Sequence, residues 1–417
     1  MHQKIVLPNG VRILTEYIPY VRSAAVGIWV GSGSRHERPE QQGISHFIEH
    51  MVFKGTEQRT AMEQAMLMDS IGGQFNAFTS KEYTCYYAWT LDTHLRQALD
   101  VLCDLFFHAK FDPSDVEVER GVILEEIGMC EDTPEDLCLE RLVSAAYKGN
   151  ALSHPILGIP SSLSKLTGRR LSAYRKKNYL PQQTVVSLSG SFSDSDIAYL
   201  SEWFSQMEPG IRKEPDQAVY LPSVTVCRKE IEQNHICIAF PGLPYGSPKR
   251  FAMQLLNSIL GGGMSSRIFQ EVRERLGLCY NIYSFGAGHT DTGLLCIYTA
   301  LGRETEDRAI LEILRLARKF AAEGVTDEEL VRAREQSKAN VFLSMESTIS
   351  RMNHLARSEL FYGFIPTAEE IISGYDAVTR EEIMQLAAEI FDFEQLSLSA
   401  VGKTGTSAHY RKLLRSV

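Results

Sequence analysis

His46-Phe47-Ile48-Glu49-His50 is the group in this chain whose residue types and spacing could do chemistry together. Side chains four residues apart on an α-helix face the same way, so both imidazoles can reach one ion while Glu49 sits beside them. Zinc binds imidazole nitrogen readily, and a catalytic zinc site takes three protein ligands and leaves a fourth position to water. Bound zinc lowers the pKa of that water to about 7, and a nearby carboxylate can take the proton as the water attacks a carbonyl. The order His-x-x-Glu-His inverts the commoner His-Glu-x-x-His zinc helix. Two ordinary helix histidines are the bland alternative, and a third ligand is what separates the readings.

These residues need a helix, and Ile44 to Phe53 supplies a run with no proline or internal glycine. Asp112-Pro113-Ser114-Asp115 opens a second helix, with Asp112 as N-cap, proline at the first helical position and acid in the first turn; it runs to about Cys130. Val11 to Leu14 and Ala24 to Val30 read as strands, with Pro8-Asn9-Gly10 as the turn before the first.

The chain has 417 residues, too long for one ordinary core, and is 44% hydrophobic and 23% charged, as a soluble globular protein is. A net charge of −9 argues against nucleic acid as main partner, which needs a concentrated basic footprint. No run approaches the roughly 20 apolar residues of a membrane span. The first ten residues read as neither secretory signal nor transit peptide, so cytoplasmic residence is the expectation. The eight cysteines are scattered, several in apolar runs, and read as buried thiols rather than a disulfide framework.

Pro209 to Pro222 is polar, holds three prolines and reads as a linker between two halves that look alike. Ile71 to Thr79 pairs with Leu276 to Ser284 at an offset of 205, and Phe111 to Asp115 pairs more weakly with Val325 to Glu329 at 214. Such self-similarity points to a duplicated domain.

Gly43 to Thr56, with the His-x-x-Glu-His at its centre, resembles the signature of the M16 (pitrilysin or insulinase) metallopeptidases, closest to short bacterial members related to mitochondrial processing peptidase. The likeness runs from Leu7-Pro8-Asn9-Gly10 to the helix around Glu335. The family's third zinc ligand follows the second histidine by about 76 residues, which implies Glu126; another family glutamate, seven residues earlier, implies Glu119. On the helix opened by Asp112, positions 119 and 126 lie two turns apart and share a face with Val122 and Ile123. Two carboxylates on such a face are costly to bury without a partner, and a metal with its histidines supplies one, Glu126 as ligand and Glu119 orienting a ligand from behind. The residues alone leave Glu125 in competition with Glu126; the family spacing favours Glu126.

The second half lacks these groups: His46, Glu49 and His50 map to Phe251, Gln254 and Leu255, and Glu119 and Glu126 to Ala333 and Asn340. One zinc per chain is therefore expected. The resemblance further implies that Phe75-Asn76-Ala77-Phe78 lies on an edge strand to which a peptide substrate adds as an extra strand. It implies that Arg273 grips substrate carbonyls and that the Tyr280 hydroxyl stabilises the oxyanion. A solvated arginine and a core tyrosine are the bland alternative there. Gly261-Gly262-Gly263-Met264 is similar to the family's glycine-rich loop, and a helix-ending turn would use the same residues.

The resulting expectation is two homologous α+β domains, 1–210 with the zinc and 222–417 with the Arg/Tyr pair, each a largely antiparallel sheet with helices packed on one side. The implied function is zinc-dependent cleavage of peptides or unfolded segments, with Glu49 as general base, in a chamber between the halves of a homodimer with composite sites. A structural or inactive partner subunit is the alternative. No nucleic-acid or membrane partner is expected.

Overall fold

The computed structural model describes residues 2–416. Their contacts divide the chain into two compact units: one takes the residues up to Gly128, His154–Asp216 and Leu343–Ile365, the other Met129–Ser153, Gln217–Phe342 and the residues from Pro366 onward.

The first unit is built on a six-stranded sheet of β1 (His2–Val6), β2 (Arg12–Tyr17), β3 (Ser23–Val30), β4 (Gln74–Thr79), β5 (Thr84–Leu91) and β6 (Thr184–Gly190), in the order β1-β2-β6-β3-β5-β4. Only β2 and β6 run parallel. The second unit has β7 (Val224–Arg228), β8 (Asn234–Pro241), β9 (Asn281–Gly288), β10 (Gly293–Leu301) and β11 (Ser397–Gly402), in the order β7-β11-β8-β10-β9, with only β7 and β11 parallel. Leaving out β1, the two orders match strand for strand, including the place of the parallel pair. Matching topology carries the duplication further than the sequence likeness does.

The likeness at an offset of 205 falls on the turns that enter β4 and β9. Gly72 has φ 59° and Gly277 φ 58°, and nothing stands within 4 Å of where a side chain would begin at either. Glycine is therefore present for the left-handed turn and not for space.

In the first unit one sheet face packs against α1 (Ile44–Met51), α3 (Leu95–His108), α4 (Pro113–Asp132) and the helix Gly168–Asn178; α2 (Ala61–Ser70) joins this layer beside α3. Alternate residues of β3 point into this core: Ala24, Val26, Ile28 and Val30. The others do not face water. Ala25 and Trp29, with Leu14, Cys85 and Val185, pack against Met352, Leu355 and Ala356 of the helix Thr348–Tyr362. That helix is tied down by ion pairs from Lys4 to Glu359 (2.7 Å, Glu359 buried) and from Arg351 to Glu16. The second unit repeats the plan. Ile236, Ile238 and Phe240 of β8 face the main core, and Cys237 and Ala239 meet Cys138 and Leu142 of α5 (Pro134–Ala146).

Each sheet thus has the expected helix layer on one side and a single covering helix on the other. Each covering helix comes from the opposite half of the sequence, so the compact units cut across the boundary expected at 210–222. Residues 206–223 do lack helix and strand. No helix among the described residues is long and apolar enough to cross a membrane.

Candidate metal centre

Helix α1 begins at Gly43, whose φ of 87° turns the chain sharply into the first turn. Ile44, Phe47, Ile48 and Met51 are buried in the first unit's core, which fixes the rotation of the helix and turns His46, Glu49 and His50 toward α4 and β4. The Asp112 backbone carbonyl accepts the Val116 N–H at 3.0 Å, closing the first turn of α4.

His46 Nε2 and His50 Nε2 stand 3.2 Å apart, and Glu126 Oε2 lies 3.7 Å from the first and 3.6 Å from the second. Zinc bonds of about 2.0–2.1 Å in a tetrahedron place ligand atoms about 3.3 Å apart, so the three donors already have nearly the spacing a zinc ion needs. Glu126 Oε2 is buried and accepts no hydrogen bond, a costly state for a carboxylate oxygen unless a cation takes it. The residues fit zinc. Glu125 is exposed, and Glu126 is the α4 carboxylate that faces the two histidines.

The tautomer of His50 is set from behind: its Nδ1 lies 2.8 Å from Glu119 Oε1, which accepts the proton there and leaves Nε2 as the lone-pair donor. Glu119 is buried, and its other oxygen pairs with Lys54 Nζ at 2.6 Å. Burial, helped by neighbouring His50, pushes His46 down to about 3, so its ring is neutral at physiological pH, as a ligand must be. Glu49 is half-buried; desolvation raises its pKa above the ordinary carboxylate range, and a 2.5 Å hydrogen bond from the Thr79 hydroxyl offsets part of the rise. A carboxylate of raised basicity beside a metal centre is suited to taking a proton.

The α4 face differs from expectation at one position. Ile123 is buried between the two glutamates, but Val122 is 47% exposed and lies outside the face.

Strand β4 is the end of its sheet and pairs only with β5. Phe75 and Ala77 pack toward the α1 core, Phe78 packs on the opposite face near Trp29 and Tyr83, and Asn76 is exposed. The two aromatic side chains are thus engaged in packing, and what the edge offers a partner is main chain.

In the second unit, Arg273 lies on the helical segment Phe269–Arg275, a π-type turn, and Tyr280 immediately precedes β9. The Arg273 guanidinium sits 4.5 Å from the Phe269 ring centre and 5.7 Å from that of Tyr280. Tyr280 is 77% exposed, so it is no core tyrosine. Gly261 closes the helix Arg250–Gly261, and the glycine run follows it as a helix-ending turn. Glu306, Asp307 and His409 also lie close together, but Glu306 already accepts from Asn234 and Tyr410, and Asp307 pairs with His409 at 2.8 Å.

Two contacts had no sequence signal. Thr79 meets Glu49 across thirty residues, and Lys54 meets Glu119 across two helices. No local pattern marks a side chain for a partner that only the tertiary fold delivers.

Residues 12–159 match the family described as "Insulinase (Peptidase family M16)", and residues 165–337 match "Peptidase M16 inactive domain". Among similar proteins is an uncharacterized zinc protease of Bacillus subtilis, YmxG, 42% identical over 406 residues that span 97% of this chain and 99% of that protein. Another is an uncharacterized zinc protease of Streptomyces coelicolor, 37% identical over 96% of this chain and 89% of its own length. In fold the chain is similar to a peptidase M16 inactive domain from Pseudomonas fluorescens (TM-score 0.90, 19% identity, 97% and 99% of the two chains). It is similar also to a protease from Helicobacter pylori (TM-score 0.89, 19% identity, 96% and 99%).

Proposed function

The chain belongs to the M16 (insulinase) family of peptidases, and from that membership we propose that it is a zinc-dependent endopeptidase cutting peptides and unfolded segments. The observation that carries the reading is the convergence of His46, His50 and Glu126 donor atoms beside the half-buried carboxylate of Glu49.

When bound, zinc supplies Lewis acidity that makes water reactive toward a peptide carbonyl near neutral pH. His46, His50 and Glu126 hold the ion, and Glu119 keeps His50 in the ligating tautomer. The substrate strand pairs with the free edge of β4 along Phe75 to Phe78, which sets the scissile bond beside Glu49. Glu49 takes the proton of the attacking water and passes one to the leaving amine. Arg273 holds a substrate carbonyl and Tyr280 donates its hydroxyl to the oxyanion. In this proposal a homodimer supplies the two parts in trans, each zinc unit working with the Arg273 and Tyr280 of the other chain.

Purified protein should carry about one zinc per chain. Glu49→Gln should keep that zinc and lower kcat by about 10²–10⁴, because an amide cannot accept the proton. Metal analysis and peptide cleavage on the same preparations check this; full activity in Glu49→Gln, or cleavage by zinc-free protein, would overturn the mechanism.

A further inference from the structure

Glu37 lies outside the metal centre, yet its carboxylate is buried against the first turn of the helix that carries it. Its Oε2 accepts the Gly43 N–H at 2.7 Å and its Oε1 accepts the Ser45 N–H at 2.8 Å. Gly43 has no side chain with which to cap α1, so Glu37 caps it from six residues upstream. A carboxylate spanning two N–H groups at the positive end of a helix fixes both the start of the helix and its rotation. The residue after Ser45 is His46.

The segment bearing Glu37 is itself anchored to the far end of strand β4. Ser34 N–H donates to Ser80 O (3.1 Å) and Arg35 N–H to Lys81 O (2.7 Å), and buried Arg35 pairs with buried Glu82 at 2.7 Å. Ser80 to Glu82 directly follow Thr79, whose hydroxyl holds Glu49. A closed ring of bonds results: from the end of β4 to the 34–37 turn, through Glu37 to the start of α1, along α1 to Glu49, and back to Thr79. Burial pushes the Glu37 carboxyl up to about 7, against the pull of the Ser45 N–H and hydroxyl, the Gly43 N–H and Lys81.

We propose that Glu37 is a positioning residue that locks the metal-binding helix in register with the β4 edge strand, so that zinc ligands and the peptide-pairing edge form one rigid frame. This rests on the reading of His46, His50 and Glu126 as a zinc centre. A cap with a merely structural role would lower the unfolding midpoint and leave metal affinity unchanged in the protein that stays folded. A positioning residue changes the affinity itself, because two ligands four residues apart must be held in a fixed orientation.

The test measures zinc affinity by chelator competition, with the unfolding midpoint of the zinc-free protein alongside, for wild type, Glu37→Gln and Glu37→Asp. Glu37→Gln keeps the shape but turns an amide N–H₂ toward one of the two N–H donors, and zinc affinity should fall about tenfold to a hundredfold. Glu37→Asp keeps the charge and should recover part of the loss. If Glu37→Gln does not fold, Glu37→Asp against wild type makes the same comparison. If wild type takes up zinc and a folded variant binds it as tightly, the assignment of Glu37 is overturned and the zinc centre stands. If wild type takes up no zinc, the centre itself falls. If neither variant folds, Glu37 supports the whole unit and the specific role is overturned.

Discussion

His46 and His50 can share an ion because four residues on a helix return a side chain to the same face, and that much is written in five consecutive letters. Glu126 is different. It stands 76 residues further on, with Glu125 beside it; the residues alone leave the two equal, and the fold makes Glu126 half-buried facing the histidines and Glu125 exposed. The same boundary explains why Thr79, Lys54 and Glu37 were not legible: each acts on a neighbour brought to it by tertiary structure. Residue-scale burial also has a pH signature away from the histidine cluster. His36 accepts the Gly33 N–H at 3.1 Å, and burial, reinforced by the cations Arg212 and Arg35, pushes it down to about 3 from 6.5. The unfolded chain therefore binds a proton that the folded chain refuses. The stability contributed by neutral His36 is complete above about pH 6.5 and is lost as pH falls from there toward 3, at up to about 1.4 kcal/mol per pH unit. His36→Asn keeps an acceptor without a titrating ring. Urea unfolding with chelator present, compared between pH 7.5 and pH 5, should show about 2 kcal/mol less acid destabilisation in the variant than in wild type. The same pH dependence in both would rule out His36 as a source.

Secondary structure was readable where a local rule decides it. The Asp112-Pro113 start, the proline-free run through the histidines and the β3 strand all appear within a few residues of their expected bounds. The run Ala24–Val30 is apolar without alternation, and all seven residues are buried because the strand is covered on both faces. The turns before β4 and β9 show what the sequence likeness was reporting. Ile71-Gly72-Gly73 and Leu276-Gly277-Leu278 share a left-handed glycine ahead of an edge strand, and any other residue there carries strain. Gly72→Ala should destabilise the protein by about 1–2 kcal/mol without steric conflict, since no atom lies near the added methyl. Gly121→Ala, in the middle of α4 with equally open space, should be neutral or stabilising. A Gly72→Ala unfolding midpoint equal to wild type would show that the positive φ is not demanded at that turn.

At the scale of the whole molecule, His46, His50 and Glu126 lie in one compact unit and Arg273 and Tyr280 in the other. The trans arrangement proposed above makes a quantitative demand. Glu49→Gln and Arg273→Ala chains, each nearly inactive alone, should complement when mixed with subunit exchange. In a mixed dimer one composite site collects both lesions and the other collects neither, so equal mixing restores about a quarter of wild-type activity. Exchange demonstrated by labelled subunits with no recovery of activity would place the whole site within one chain. The reciprocal covering helices bear on something else, the order in which the molecule is made. Once Gly190 has left the ribosome, every strand of the first sheet exists, yet Leu14, Trp29 and Val185 have no cover until Met352 and Leu355 follow, about 160 residues later. At about 5–20 residues per second, that is on the order of ten to thirty seconds. Helix α5 waits in the opposite sense, finished long before β8 and β11 exist to receive it. For that interval the nascent chain holds a nearly finished sheet with one apolar face bare, the kind of surface that aggregates unless it is shielded.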